Sequence, residues 1–167
     1  MRPLFSLLAL CLLALPAYSQ TPVSASASAV IRAKIQVPLS ITKMSDLNFG
    51  TMIATPTAGK VIIDPLGVRT AVGGVVLANT SVFGVSAAAF QVNGEANTTF
   101  TVLLPASAQM TFGAYAMTVD TFVTDGAPYL LSVSGGQRLS VGATMYVGAN
   151  QVPGQYSGTF AVTVAYN

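Results

Sequence analysis

The sequence predicts an all-β protein, an antiparallel sandwich or barrel formed by a single domain. Short apolar segments rich in Thr, Val, Phe and Tyr recur along the 167 residues, and turns of glycine, proline and asparagine separate them. After the first 19 residues, no window shows the sustained 3.6-residue apolar spacing of an amphipathic helix. Many short strands joined by close turns are typical of these two architectures.

Residues 1–19 are predicted to be a cleaved signal peptide. Arg2 gives a positive start, residues 4–15 form an apolar run, and small residues precede Gln20. Such a run would span about 18 Å as a helix, well short of the roughly 30 Å hydrocarbon core of a membrane. The single cysteine, Cys11, lies inside this run. We therefore expect an exported chain without cysteine or integral membrane span, located in the periplasm, at the cell surface or outside the cell.

The domain is predicted to span residues 29–167, after a small, polar and flexible leader over residues 20–28. Its first strand is predicted over residues 29–41, where apolar and polar residues alternate. Pro38 favours a strand at a sheet edge. The apolar face of this strand would consist of Ile31, Ala33, Ile35, Val37, Leu39 and Ile41.

Further strands are predicted wherever short apolar segments are bounded by turn residues. The predicted segments are Leu47–Ile53, Lys60–Pro65, Gly74–Ala78, Ala88–Asn93, Thr98–Leu104, Met110–Phe112, Ala116–Thr124, Tyr129–Ser134, Arg138–Val147 and Gln155–Tyr166. Between two of these segments, Gly135-Gly136 is predicted to close a hairpin, because glycine enters the positive-φ regions of a primed turn at low cost.

The last predicted strand alternates almost to the end of the chain. One face would carry Tyr156, Gly158, Phe160, Val162, Val164 and Tyr166, and Gly154 precedes it. Chain ends usually fray unless they are built into a sheet. This segment is therefore predicted to be either a structural strand of the domain or a strand that is donated to another protein.

The residue types of most catalytic and metal sites are missing after residue 19. That part of the chain has no histidine, cysteine or tryptophan, and its five acids are scattered. Triads, thiol enzymes and nearly all transition-metal sites need histidine or cysteine. The six cations are also scattered, whereas nucleic-acid binding needs a clustered basic surface. We therefore predict a non-enzymatic protein with no catalytic residue, no cofactor, no metal site and no nucleic-acid partner.

Gly154, the alternating residues after it and the penultimate Tyr166 together resemble the C-terminal strand of chaperone–usher pilins. The order of several short pieces is similar to an exported bacterial family catalogued as domain of unknown function number 4402 and read as pilin-like. These pieces run from Val37-Pro38-Leu39-Ser40-Ile41 through Leu47-Asn48-Phe49-Gly50 to Gly154-Gln155-Tyr156-Ser157-Gly158-Thr159-Phe160. The resemblance implies an immunoglobulin-like, pilin-like β-sandwich.

The resemblance also implies a structural subunit of a bacterial surface fibre. Its partners would be copies of itself or related subunits, a periplasmic chaperone and an outer-membrane usher. The sequence leaves open whether the strand over residues 29–41 is donated to a neighbour or is the domain's own first strand. The alternative function is a secreted or periplasmic, monomeric, adhesin-like binding module in which Tyr115, Tyr129 and Tyr146 would stack on sugars.

Overall fold

The computed structural model describes residues 23–79 and 84–167, and these ranges form an all-β structure with antiparallel pairing. The fold class predicted from the sequence is thus confirmed at this level. The described ranges contain nine strands and no helix. The strands are β1 (Ser40–Ser45), β2 (Met52–Ile63), β3 (Arg69–Leu77), β4 (Ala88–Asn93), β5 (Phe100–Leu103), β6 (Ser107–Phe112), β7 (Tyr115–Thr124), β8 (Gly136–Val147) and β9 (Thr163–Tyr166).

Seven of these strands form one sheet and the other two form a small second sheet. The larger sheet has the order β1-β4-β8-β2-β3, with β7 paired to β8 and β6 paired to β7. Strand β8 is central, because β4, β2 and β7 all pair with it. The small sheet pairs β5 with β9, and its Phe100 packs in one cluster with Val92 of β4 and Val141 of β8. The small sheet is therefore a second layer over one end of the larger sheet.

Alternation along β8 explains why it lies at the centre. Leu139, Val141, Ala143, Met145 and Val147 occupy every second position and are 3% exposed or less. Successive side chains of a strand point to opposite faces, so this spacing places all five on the same inner face. They divide between two clusters of buried residues, one under β4 and the small sheet and one under β2, β3 and β7.

All nine strands lie in a compact unit over residues 35–167, and the described residues before it, 23–34, belong to a second unit. Residues 23–34, the described part of that second unit, have no regular secondary structure. The predicted signal peptide lies outside the described residues. Within the described ranges, no helix is long and apolar enough to cross a membrane.

The strand predicted over residues 29–41 is wrong for most of its length in the single chain. Residues 29–39 form no strand, and β1 begins only at Ser40. An alternating pattern puts the apolar side chains on one face, which can then be buried. A strand also needs a neighbouring strand whose backbone pairs with its N–H and C=O groups. In the single chain, β4 offers such a partner only from Ser40 onward.

Other predicted segments had mixed outcomes. Strand β4 has the predicted bounds, whereas residues 129–134 form no strand. Leu130 bridges to Thr99 instead of a hairpin partner, and the N–H of Gly135 closes a turn on the carbonyl of Ser132. The hairpin predicted at Gly135-Gly136 is therefore wrong. Its glycines lead directly into β8, which pairs with β4.

Candidate functional site

An open groove lies between two chain segments that run in opposite directions. We call residues 43–54 the N-terminal bank and residues 151–160 the C-terminal bank. Both banks are fully described, and no strand pairing joins them. Two adjoining cavities lie between the banks. Numbers rise along the N-terminal bank and fall along the C-terminal bank in passing from one cavity to the other, which defines their antiparallel course.

The first cavity, of about 430 Å³, lies between residues 43–49 and residues 155–160. We call it the aromatic cavity, because Phe90, Phe122 and Phe160 line it. The rings of Phe122 and Phe160 lie 4.9 Å apart between centroids, and Phe90 meets Phe160 edge to face at 6.3 Å. Such contacts fix the rings relative to one another. The cavity therefore has a firm apolar wall.

The second cavity, of about 630 Å³, lies between residues 47–54 and residues 151–156. We call it the methionine cavity, because it is lined by Met52, Met110, Met117 and Met145. Met145 and Met117 are core residues, 1% and 9% exposed, so the floor of this cavity is the core itself. Methionine adapts its shape to irregular contacts, which suits a surface that receives another apolar segment.

The two cavities meet at a set of residues that we call the waist. Its members are Leu47, Asn48, Phe49, Met110, Gln155 and Tyr156, which line both cavities. The hydroxyl of Tyr156 donates to the carbonyl of Val152 at 2.9 Å and accepts from the side-chain amide of Gln151 at 2.8 Å. Its ring also packs on Phe112, with centroids 5.7 Å apart. Tyr156 is thus fixed at both its ring and its hydroxyl.

The N-terminal bank is held in place by side chains from outside it. The guanidinium of Arg69 donates to the carbonyl oxygens of Phe49, Thr51 and Ala78 at 2.9, 3.0 and 2.9 Å. The backbone of Asn48 exchanges two hydrogen bonds with Ser86. A charged, planar donor that binds three carbonyls thus fixes the part of the bank between β1 and β2, where Phe49 and Thr51 belong to no strand.

The C-terminal bank lies against β6 at two close approaches. Ser157 exchanges backbone hydrogen bonds with Thr111, and the next residue, Gly158, is so close to β6 that a Cβ would lie 2.1 Å from the carbonyl oxygen of Gln109. At the far end of the methionine cavity, the N–H of Asn150 donates to the carbonyl of Thr55 at 2.8 Å. This hydrogen bond joins the residues that lie just beyond the two banks at that end, Thr55 after one and Asn150 before the other.

A separate set of hydrogen bonds holds Val37. Its N–H donates to Oε2 of Glu95 at 3.2 Å, and its carbonyl accepts from the hydroxyl of Tyr166 at 2.8 Å. The same hydroxyl accepts from the N–H of Glu95 at 2.6 Å. We call these three residues the clamp. Both backbone groups of Val37 are thereby bound, although its side chain remains 51% exposed.

The residues before the clamp, 23–36, are called the arm. Every side chain of the arm is exposed, including Ile31 at 95% and Ile35 at 96%. Two isoleucines that are this exposed, on the same face of the alternating pattern, are unusual on the surface of a soluble protein, where apolar side chains of this size are normally buried. The arm therefore offers an apolar face without a partner strand.

The structure distributes the predicted assembly residues over four places. Ile31, Ala33 and Ile35 lie on the arm, and Val37 lies in the clamp. A third group packs against the core or lines the groove, and it comprises Leu39, Ile41, Tyr156, Phe160, Val162, Val164 and Tyr166. Gly154 and Gly158 lie on the C-terminal bank beside Phe112 and Gln109. Half-burial at each even position from 160 to 166 confirms the predicted register, although β9 begins only at Thr163.

Sequence reasoning missed the N-terminal bank and the methionines as parts of a site. Leu47-Asn48-Phe49-Gly50 was noted only in the resemblance and within the predicted strand Leu47–Ile53, which begins in the structure at Met52. Met110 and Met117 were noted only as strand residues. The residues 23–79 and 84–167 contain no group of three or more His, Cys, Asp or Glu side chains that could hold a metal ion. The charged side chains at the groove are Lys43 and Asp46, which form an exposed ion pair at 2.6 Å. The rest of the described groove lining is uncharged.

A family model described as Domain of unknown function (DUF4402) matches residues 39–166. This match covers all nine strands, and Val37 of the clamp lies just before it. No curated protein and no solved structure matches the chain.

Proposed function

The chain belongs to the family described as Domain of unknown function (DUF4402), and we propose that it is an exported structural subunit of a bacterial surface fibre. In this proposal the domain is an immunoglobulin-like, pilin-like sandwich whose copies join by exchanging strands. One observation supports it above all. The same chain carries an exposed arm with an alternating apolar face and an open apolar groove that no strand of its own fills.

The arm of one copy would lie between the two banks of the next copy. Its backbone would pair along the C-terminal bank, which lacks a partner strand on its groove side, and its apolar face would cover the floor of the groove. Burying Ile31 and Ile35, which are almost fully exposed, contributes on the order of 3–6 kcal/mol gross. That is a substantial fraction of the typical net stability of a domain, about 5–15 kcal/mol.

Charge also favours contact between copies. The described part of the arm contains two cations, Arg32 and Lys34, and no acid. The unit over residues 35–167 contains four cations and five acids, so its net charge is of opposite sign to that of the arm. Only 7% of the whole chain is charged, which makes a poor surface for a freely soluble monomer. Association would cover part of that surface.

An unfilled groove would also explain the need for assembly partners. Until an arm arrives, the core residues Met117 and Met145 line a groove that is open to solvent. We expect a periplasmic chaperone to cover the groove during export and an outer-membrane usher to order the exchange of chaperone for arm. Both partners follow from the resemblance to chaperone–usher pilins.

Engineered disulfides test this assembly directly, because the only cysteine, Cys11, lies in the predicted signal peptide. The test variant carries Ile35→Cys on the arm and Thr159→Cys on the C-terminal bank. Oxidation should give a ladder of covalent multimers on a non-reducing gel, and reduction should collapse it to monomer. The control variant pairs Ile35→Cys with Thr101→Cys, which is exposed on β5 away from the groove.

Two results would overturn the fibre proposal. The first is an equal ladder from the control pair, which would indicate random collision. The second is a fast-migrating monomer from the test pair, which would mean that the arm fills the groove of its own chain.

The second candidate is a monomeric, adhesin-like binding module. Phe112 and Tyr115 are register partners at the β6–β7 turn, and they are 41% and 49% exposed. Exposed aromatic faces can stack on sugars. Tyr129 is less suitable, because its ring packs on Phe100 and its hydroxyl bonds to Thr124. Saturable glycan-array binding that is lost in Tyr115→Ala and kept in Tyr129→Phe would favour this function over the fibre subunit.

A further inference from the structure

The methionine cavity collects most of the methionines of the chain. After residue 19 the sequence has five methionines, and four of them line this one cavity: Met52, Met110, Met117 and Met145. The same four lie in, or pack against, a single core cluster. The fifth, Met44, is 60% exposed on β1 and lines neither cavity. Packing alone can collect apolar residues, so the pairing of the strands decides whether these sulfur atoms can reach one point.

Strand pairing places three of the four methionines side by side. Met110 of β6 and Met117 of β7 are register partners, so their Cβ atoms lie about 4.5–5.5 Å apart. Met117 precedes by two residues Val119, the register partner of Met145 on β8. Met117 and Met145 are therefore diagonal neighbours on the same face, about 7–8 Å apart and within reach of long side chains. Three thioether groups can thus converge on one point.

The fourth methionine comes from the opposite side of the groove. Met52 belongs to the N-terminal bank, is half-buried, and packs against the cluster that contains Met117 and Met145. The cavity that all four line is part of the open groove. A bound ion would therefore have both a set of ligands and a path of entry, and a metal site needs each of these.

The chemistry of this cavity selects one class of ion. Thioether sulfur is a soft, uncharged donor that suits Cu(I), whereas Mg²⁺ and Ca²⁺ need oxygen ligands and carboxylates above all. Among residues 23–79 and 84–167, no charged side chain lines the cavity. Nothing described there would balance a divalent charge, and a monovalent ion carries the smaller charge into apolar surroundings. The prediction of no metal site rested on missing histidine and cysteine, and methionine is the remaining soft ligand.

We propose that Met110, Met117 and Met145, with Met52 as the fourth ligand, bind one Cu(I) ion in the methionine cavity. All four ligands belong to one copy of the chain, so the site goes beyond the fibre proposal and does not depend on it. Because a thioether has no proton to lose, the affinity for Cu(I) should stay constant between about pH 5 and 8, unlike that of histidine, cysteine or carboxylate sites.

Titration with Ag(I), a soft monovalent ion that needs no reductant, tests the site in the full chain. Every variant also carries Cys11→Ser, so that no thiol competes for the ion. We expect one Ag(I) per chain by native mass spectrometry and calorimetry. Met52→Leu and Met110→Leu nearly conserve side-chain volume and should leave a folded protein. Each should weaken binding by at least the roughly tenfold that even outer-shell partners of a metal contribute.

Met44→Leu is the matched control, because it makes the same change at an exposed position outside the cavity. This variant should bind Ag(I) like the parent chain. An equal loss of affinity in the control, or parent-like affinity in both Met52→Leu and Met110→Leu, would overturn the site. So would several ions per chain without saturation, which would indicate adventitious binding only.

X-ray absorption of the parent chain loaded with Cu(I), kept reduced by ascorbate, gives a readout that needs no variant. The site predicts a coordination shell of sulfur alone, and a shell dominated by nitrogen or oxygen would overturn it. A steep fall in affinity from about pH 8 to 5 would also overturn it, because the ligands would then carry protons. Met52→Leu and the absorption spectrum decide the outcome where Met110→Leu fails to fold.

Discussion

The hydroxyl of Tyr166 donates a hydrogen bond of 2.8 Å to the carbonyl oxygen of Val37, although the two residues are 129 positions apart. This bond joins the last strand of the domain to the residue at which the arm ends. Glu95 completes the clamp, because its N–H and its carboxylate bind the same two partners. The base of the arm is therefore fixed by the C-terminal strand.

Tyr166→Phe should loosen the clamp without emptying the space that the ring fills. The variant loses the hydrogen bonds to Glu95 and Val37, so we expect the free energy of unfolding to fall by about 1–3 kcal/mol in urea titrations. Amide exchange at Val37 should accelerate as well. Tyr146→Phe, at a ring that is 42% exposed, is the control and should change stability by less than about 0.5 kcal/mol. Equal effects of both changes would contradict a role for the clamp.

Gly94→Ala tests the same clamp through its packing. A Cβ at Gly94 would lie 2.2 Å from the hydroxyl oxygen of Tyr166 and 3.0 Å from a methyl group of Leu131, so the tyrosine has to move. We expect a loss of roughly 1–3 kcal/mol, measured by thermal or urea unfolding. In Gly148→Ala, the added Cβ meets only the flexible end of Gln151 and should cost much less. A stable Gly94→Ala variant would show that the tyrosine side chain is free to shift.

Arg69→Met should weaken the N-terminal bank, because three carbonyl oxygens lose their common donor. Hydrogen bonds from a charged donor contribute about 1.5–3 kcal/mol each when a partner is removed, and we expect a net loss of about 2 kcal/mol in unfolding experiments. Arg69→Lys should recover only part of that loss, since one ammonium cannot match the planar fork. Arg138→Met, at an exposed position of β8, should be nearly neutral.

The register of the C-terminal strand can be tested with a single charge at neighbouring positions. Val162 is half-buried against the core cluster under the small sheet, so Val162→Asp should reduce the free energy of unfolding by roughly 2–4 kcal/mol. Thr163 is exposed on β9, and Thr163→Asp should be much milder. The ratio of soluble, folded protein from the two variants is the measurement. If both variants lose a similar amount of folded protein, the face of the strand that we predict to be buried is the wrong one.

The sequence alone determined the fold class and the position of several strands. Alternation over residues 88–93, 116–124 and 138–147 predicted β4, β7 and β8, because period-two burial is a local property that each segment carries in its own residues. The same reasoning identified the buried face of residues 160–166, where burial alternates as predicted even before β9 begins.

Only the tertiary structure decided which alternating segments find a partner. The alternating pattern predicted over residues 29–41 becomes a strand only from Ser40, because β4 lies beside the chain only from there. The groove likewise follows from two banks that are close in space and more than 90 residues apart in sequence. Pairing and open space between segments depend on the path of the whole chain, and no local pattern of residues encodes them.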